Sequence, residues 1–175
     1  MTMGGAVTAW ETADAQNFAS LFRAQPGGVA VITADDGSGP VALTATSVSS
    51  VSIAPPMLVL SASDRSSAAP TIVAAETLVV HFIDVCDLEL AKLAATSGAD
   101  RFGDPRRWSR LPTGEPIYDS VARKVRVRTI ERIRAGGATV LIARALDVHS
   151  TIAPDSHPLV YHDRAWRDLG DSYVI

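Results

Sequence analysis

The chain has 175 residues, of which 47% are hydrophobic and 20% charged, and a formal net charge of -3. These proportions describe one globular domain able to bury its own core, and they exclude a disordered tail, a collagen-like fibre and a coiled coil. The single cysteine, Cys86, excludes an internal disulfide and a cysteine-ligated zinc site, and points to a reducing compartment.

In residues 12–24, Phe18, Leu21 and Phe22 recur at near-helical spacing among Ala13, Ala15 and Ala19, and the Gly27-Gly28 pair ends the pattern. This predicts an amphipathic opening helix. Residues 28–33, GVAVIT, form a β-branched run before the turn sequence DDGSGP, which predicts a strand entering a hairpin. Residues 41–53 alternate Ser and Thr with small apolar residues, and Pro55-Pro56 separates them from an apolar strand, MLVLSA. Residues 77–83, TLVVHFI, predict a further strand, and residues 87–96 a second helix that buries Leu88, Ala91, Leu93 and Ala95. Residues 99–116 lose all periodicity, as a long functional loop would. In ARKVRVRTI, Val125 and Val127 alternate with Lys124, Arg126 and Arg128, so one side of the strand is apolar and the other charged. Residues 138–148 give another strand after a Gly136-Gly137 turn, and two short strands flank an HDR turn near the end. At least six strands joined by turns, with two helices, favour an antiparallel barrel over a doubly wound parallel sheet. The whole chain, 1–175, is expected to be a single domain, with residues 1–11 a flexible N-terminal segment.

The charge is unevenly spread. Residues 100–134 hold ten basic and five acidic side chains, a balance of +5 that leaves -8 for the rest, whereas residues 37–63 hold no charge at all. The uncharged run contains Pro55, Pro56 and nine Ser or Thr side chains, so it is not a membrane span. The N-terminus has no basic start followed by an apolar stretch, so cytoplasmic location is expected. A pI of 5.7 with interspersed acids favours a solvated strand face around Arg123, Lys124, Arg126 and Arg128, paired with acids elsewhere, over a nucleic-acid surface. The four histidines, His81, His149, His157 and His162, lack the spacing of a metal site, and no metal is expected. Cys86 has no basic neighbour to activate it. Trp10, Trp108 and Trp166 are expected to pack in cores or interfaces.

Residues 43–56, LTATSVSSVSIAPP, offer hydroxyls and backbone N–H groups to a flat polar ligand such as a flavin ring or a phosphate. Composition equally allows a Ser/Thr-rich strand with one wet face. The segment from Leu43 through Thr44-Ala45-Thr46-Ser47 to Ser52, with Pro55-Pro56, resembles the Gly-x-Thr-Ala-Asn-Ser-x-x-Ser-Val-Ser signature and Pro-Pro of the flavin reductase-like family, the FMN-binding split barrel proteins. GGVAVIT, LVVHFID, Asp100-Arg101-Phe102, Trp108, Gly114-x-Pro116 and Pro158-Leu159-Val160-Tyr161 follow family landmarks in order.

The resemblance implies a mainly β fold, a six-stranded antiparallel split β-barrel of Greek-key type with peripheral helices, assembled as a homodimer. It implies that Thr44, Ala45, Thr46 and Ser47 line the flavin ring, that Ser61 and Ala62 contact the ring edge or ribityl chain, and that Arg65, Ser66 and Ser67 hold the phosphate. Arg101 and Phe102 would lie in a loop closing over the cofactor, and Trp166 would wall the flavin at a dimer contact. The implied activity is NAD(P)H-dependent flavin reduction, with FMN or FAD bound, NADH or NADPH as co-substrate, and reduced flavin passed to a partner monooxygenase; the two rings carry the reaction, so no catalytic acid or base is assigned. FMN is favoured, because one phosphate-sized Ser cluster needs no adenine site. The chain departs from the family at Gly136-Gly137-Ala138, where reductases carry Gly-Asp-His, at Thr46 in place of Asn, and at His81 in place of Asn. The first departure leaves an alternative, a flavin-binding split-barrel protein with a biosynthetic, oxidase-like or carrier role.

Overall fold

A computed structural model describes residues 13–151 and 156–170; Trp10 and the N-terminal segment 1–11 lie outside them. Helix α1 (Ala15–Ala24) is capped by Asp14, whose carboxylate accepts from the N–H groups of Gln16 and Asn17 at 2.8 Å. Its sequence is amphipathic as expected, but no residue of it is buried, and Phe18, Leu21 and Phe22 are all more than half exposed. β1 (Gly27–Gly28) and β2 (Ala30–Ala34) follow, then β3 (Val41–Ala45), β4 (Ser49–Ile53) and β5 (Pro56–Ser63). β4 and β5 are joined by a tight turn at Ala54-Pro55, whose peptide bond is cis. A short helix that periodicity did not reveal, α2 (Ala69–Ala74), starts at a proline and buries Ile72. β6 (Thr77–Phe82), helix α3 (Leu88–Ala95), β7 (Trp108–Arg110) and β8 (Pro116–Tyr118) lead to the two long strands β9 (Arg123–Ala135) and β10 (Ala138–Ser150), and the hairpin of β11 (Leu159–His162) and β12 (Ala165–Asp168) ends the fold.

Seven strands form the main sheet in the order β3-β2-β6-β9-β10-β5-β4, all neighbours antiparallel. The expected six-stranded split barrel is therefore corrected: the fold is mainly β, but the main sheet has seven strands and is not closed into a barrel. The reason lies in residues 46–48, which split the predicted strand 41–53 into β3 and β4 and send them to opposite edges of the sheet. Seven strands laid flat would be roughly 29 Å across at their usual spacing. Ala45 and Ser49 are four residues apart and can be separated by no more than about 14 Å. The sheet must curl until its edges approach, and the edges then meet through a connector instead of a ladder.

The curl divides the interior in two. Ile32, Leu60, Ile72, Leu78, Val80, Val127 and Leu141 fill one core, and Val31, Ile83, Leu90, Ala91, Tyr118, Val121 and Leu159 fill the other. β2 contributes to both, so every one of its residues is buried, which explains a continuous β-branched run instead of an alternating one. The long loop before β8 is no open lid. Phe102 stacks on Tyr118 at 5.4 Å and meets Trp108 edge-on at 5.0 Å, while the Trp108 indole N–H donates to the Phe102 carbonyl at 2.9 Å.

The basic strand β9 is neutralised within the chain. Arg123 pairs with Asp84, Arg126 with Glu115 and Asp147, Arg128 with Glu76 and Arg134 with Asp64; Arg132 donates to the carbonyls of Val73 and Ala75. The pairing expected from the charge pattern is present, but Asp84 and Glu115 are buried and Arg126 nearly so, so only part of the face is solvated.

His81, fully buried on β6, is fixed in one tautomer. Its Nδ1–H donates to the Val31 carbonyl at 3.0 Å and its Nε2 accepts the Tyr118 N–H at 3.1 Å, tying β2 to β8. Burial drives its pKa from 6.5 down to about 4. The fold therefore holds neutral imidazole, so this contribution is complete above pH 6.5 and is lost as pH falls towards about 4. The total is about 3 kcal/mol. Urea unfolding across that window should show wild type losing more stability than His81→Asn, whereas equal losses would refute the assignment.

Candidate functional site

The connector Thr46-Ser47-Val48 lies at the open seam of the sheet. Among the described residues, the backbone N–H groups of all three donate to no acceptor. Ser47 stitches the seam: its hydroxyl accepts from the Ser61 N–H at 3.1 Å and donates to the Ser61 carbonyl at 3.2 Å. Gly27 passes so close that a Cβ there would sit 2.9 Å from the Thr46 Cβ, a contact that only glycine avoids.

A cavity of about 750 Å³ opens over the connector. Gly27 and Gly28 lie on one side with residues 46–49 beside them, and Phe22, Arg23, Tyr161, Asp163 and Arg164 contribute from α1 and the β11–β12 hairpin. That hairpin is fastened to the end of α1, because the Asp163 N–H donates to the Arg23 carbonyl at 3.0 Å and the His162 Nε2–H to the Ala24 carbonyl at 3.1 Å. Its turn holds Asp163 at φ 47° and Arg164 at φ 60°, left-handed conformations that cost each side chain about 1 kcal/mol relative to glycine.

Three residues beyond Ser61, about 10 Å along β5, the chain turns at Asp64-Arg65-Ser66-Ser67. The turn is clamped to the β9–β10 hairpin: the Asp64 N–H donates to the Gly137 carbonyl at 3.0 Å, and Arg134 grips the Asp64 carboxylate through two hydrogen bonds of 2.8 and 2.9 Å. The Ser66 hydroxyl accepts from the Ala68 N–H, while Arg65 and Ser67 are exposed. Ala138 pairs with Ser63 beside this turn.

The structure thus brings Thr46, Ser47 and Ser61 together at the seam and sets Arg65, Ser66 and Ser67 further along the same strand. Ala45 and Ala62 are buried behind it, with Ala62 in the core. Thr44 donates its hydroxyl to the Ala91 carbonyl at 2.8 Å, holding α3 to β3. Arg101 and Phe102 are not part of the cavity lining. Arg101 donates from Nε to the Ala94 carbonyl and from Nη2 to the Thr96 carbonyl, capping α3, and Phe102 belongs to the second core. Trp166 meets Tyr161 edge-on at 4.9 Å, and Tyr161 is the one that lines the cavity. Arg23, Gly27, Tyr161 and Arg164 were not marked as site residues by the sequence; the HDR turn was legible only as a turn. Among the described residues no three His, Cys, Asp or Glu side chains cluster as a metal site, and no helix is long and apolar enough to cross a membrane.

Residues 22–170 match the flavin reductase like domain. The chain belongs to the flavin reductase-like family. It is 37% identical over 151 residues to an NADH:FMN oxidoreductase of Rhodococcus erythropolis, which covers 85% of this chain and 79% of the relative. The crystal structure of a flavin reductase domain protein from Arthrobacter sp. FB24 superposes with a TM-score of 0.81 at 30% identity, covering 91% of this chain and 99% of that one. The fold is shared with BorF, the flavin reductase component of a bacterial two-component tryptophan halogenase, at a TM-score of 0.78 and 24% identity over 90% of this chain and 99% of that one. Within this family member, Arg101 has a structural task. Arg101→Met should lower stability by about 1–2 kcal/mol, read by chemical denaturation, and a stability equal to wild type would contradict the cap.

Proposed function

We propose that this protein is an NADH-dependent flavin reductase, a single-domain cytoplasmic enzyme that binds FMN along the seam and works as a homodimer, passing reduced flavin to a partner monooxygenase. Its membership of the family and its identity to an NADH:FMN oxidoreductase support the activity. The observation that carries the site is the run Thr46, Ser47 and Val48, whose N–H groups have no partner among the described residues and which lines a cavity together with Gly27, Gly28 and Tyr161.

These residues fit a flavin. A flat ring with carbonyl and nitrogen acceptors would satisfy the three donors; Thr46 packs against Gly27, and the open space at Gly28 admits a ligand close to the backbone. When bound, the flavin supplies the redox chemistry, accepting hydride at N5 from the reduced nicotinamide. The protein binds, orients and shields. Thr46 and Ser47 fix the ring plane through the main chain, and Phe22 and Tyr161 supply apolar and aromatic surface. Ser61, whose N–H is already taken by Ser47, offers its hydroxyl. Arg65, Ser66 and Ser67 receive the phosphate, since the distance of about 10 Å along β5 suits a ribityl chain. Because the two rings would carry the hydride transfer themselves, the site needs no acid or base of its own.

Exposed apolar side chains support assembly. Ile53 is 89% exposed and Val148 74%, and Phe18, Leu21 and Phe22 line the uncovered face of α1. BorF supports the partner, as a reductase component that shares this fold.

Purified protein with FMN should consume NADH, followed by its absorbance; no consumption of NADH or NADPH with either FMN or FAD would end this reading. Gly27→Ala should weaken FMN binding about tenfold, because the new Cβ displaces Thr46. Fluorescence titration checks this, and an unaltered affinity would remove the connector from the site.

A further inference from the structure

Two arginines in the cavity lining have no part in the flavin site described so far. Arg23 ends α1, and Arg164 sits in the turn of the β11–β12 hairpin. The hydrogen bonds from Asp163 and His162 to the end of α1 hold these two elements against each other. Neither guanidinium makes a hydrogen bond or ion pair among the described residues, although ten of the sixteen Lys and Arg side chains do. Asp163 is the only acid in the lining, so the three charged groups leave the mouth net positive. Arg164 occupies a left-handed position that glycine would take without strain. Hairpin geometry gives no reason for arginine there. A ligand does.

The ligand must be anionic and must share the cavity with the flavin. The flavin phosphate already has Arg65, Ser66 and Ser67 on a different element. The nicotinamide has lost its usual imidazole, since Ala138 stands there and pairs with Ser63. We propose that Arg23 and Arg164 form a phosphate-binding pair that holds the diphosphate of NADH at the mouth of the cavity, anchoring the co-substrate by its charged middle. The inference rests on the reductase reading. Guanidinium groups suit this task because their planar forks grip phosphate oxygens through two hydrogen bonds at once.

The test compares NADH with N-benzyl-dihydronicotinamide, a reductant that carries the same reacting ring and no phosphate. In Arg23→Gln and in Arg164→Gly the KM for NADH should rise about tenfold more than the KM for the neutral reductant, with kcat at saturating NADH within about twofold of wild type. Arg164→Gly should melt no lower than wild type, because glycine accepts the turn, so loss of fold cannot imitate the effect. Arg164→Lys should recover part of the NADH affinity. The KM for NADH in wild type should also rise more steeply with salt than in either variant. Equal KM changes for the two reductants, or no change, would overturn the proposal. So would a weakened FMN affinity with an unaltered KM for NADH, which would give the arginines to the flavin phosphate. Wild type that oxidises neither reductant fails the reductase reading itself; wild type that oxidises both, with variants that behave identically, fails the arginine pair alone.

Discussion

Three residues hold the two edges of a seven-stranded sheet together, and most of this molecule follows from that restriction. Because Thr46, Ser47 and Val48 must bridge β3 and β4, the sheet cannot lie open, and its curl creates the enclosed core around Ile32, Leu60 and Leu141. Because the bridge is a connector and not a strand pair, its N–H groups are left over from the ladder. Spare backbone donors are thus placed in a row at one surface, on the exposed Thr46 and Ser47 and the half-buried Val48. The Ser47–Ser61 hydrogen bonds keep that row in register with β5, and hence with the turn that follows it.

The charge distribution has a physical layout. The uncharged stretch 37–63 supplies β3, the connector, β4 and β5; the inward side chains of β3 and β5 lie in the core, where an unpaired ion is costly, whereas β4 carries hydroxyls and exposed apolar side chains. The basic stretch supplies β9, whose arginines reach acids on neighbouring elements: Asp64 after β5, Glu76 before β6, Asp84 after it and Glu115 before β8. Most of these pairs are partly exposed and add little stability individually, yet together they orient the loops around the sheet. The Arg134–Asp64 pair fixes the turn that carries Arg65, Ser66 and Ser67, to which the proposed site assigns the flavin phosphate.

The second wall of the cavity is built from the two ends of the described chain. α1 buries nothing of its own, whereas β11 and β12 form a small sheet with β1 and are tied to the rest of the fold through the Leu159 backbone and the second core. The donors of the connector thus face a hairpin that is itself anchored in the second core through Leu159, Tyr161 and Trp166.

The sequence by itself determined the class of fold, nearly every strand, two of the three helices and, through residues 43–56, the segment that supplies the connector lining the cavity, because period-two patterning, turn residues and a distinctive hydroxyl-rich run are local properties. It also exposed the departure at Ala138. It left the opened seam and the seventh strand unseen, since the break at residues 46–48 shows only when the two halves reach opposite edges. Thr44 and Arg101 read as site residues from their segments, and only packing showed that one holds α3 to β3 and the other caps α3. Gly27, Tyr161, Arg23 and Arg164 reach the site from segments distant along the chain. Which of them share a cavity was decided by the tertiary structure, because a groove is made where the curl of the sheet, the last turn of a helix and a terminal hairpin converge, and no local pattern encodes that meeting.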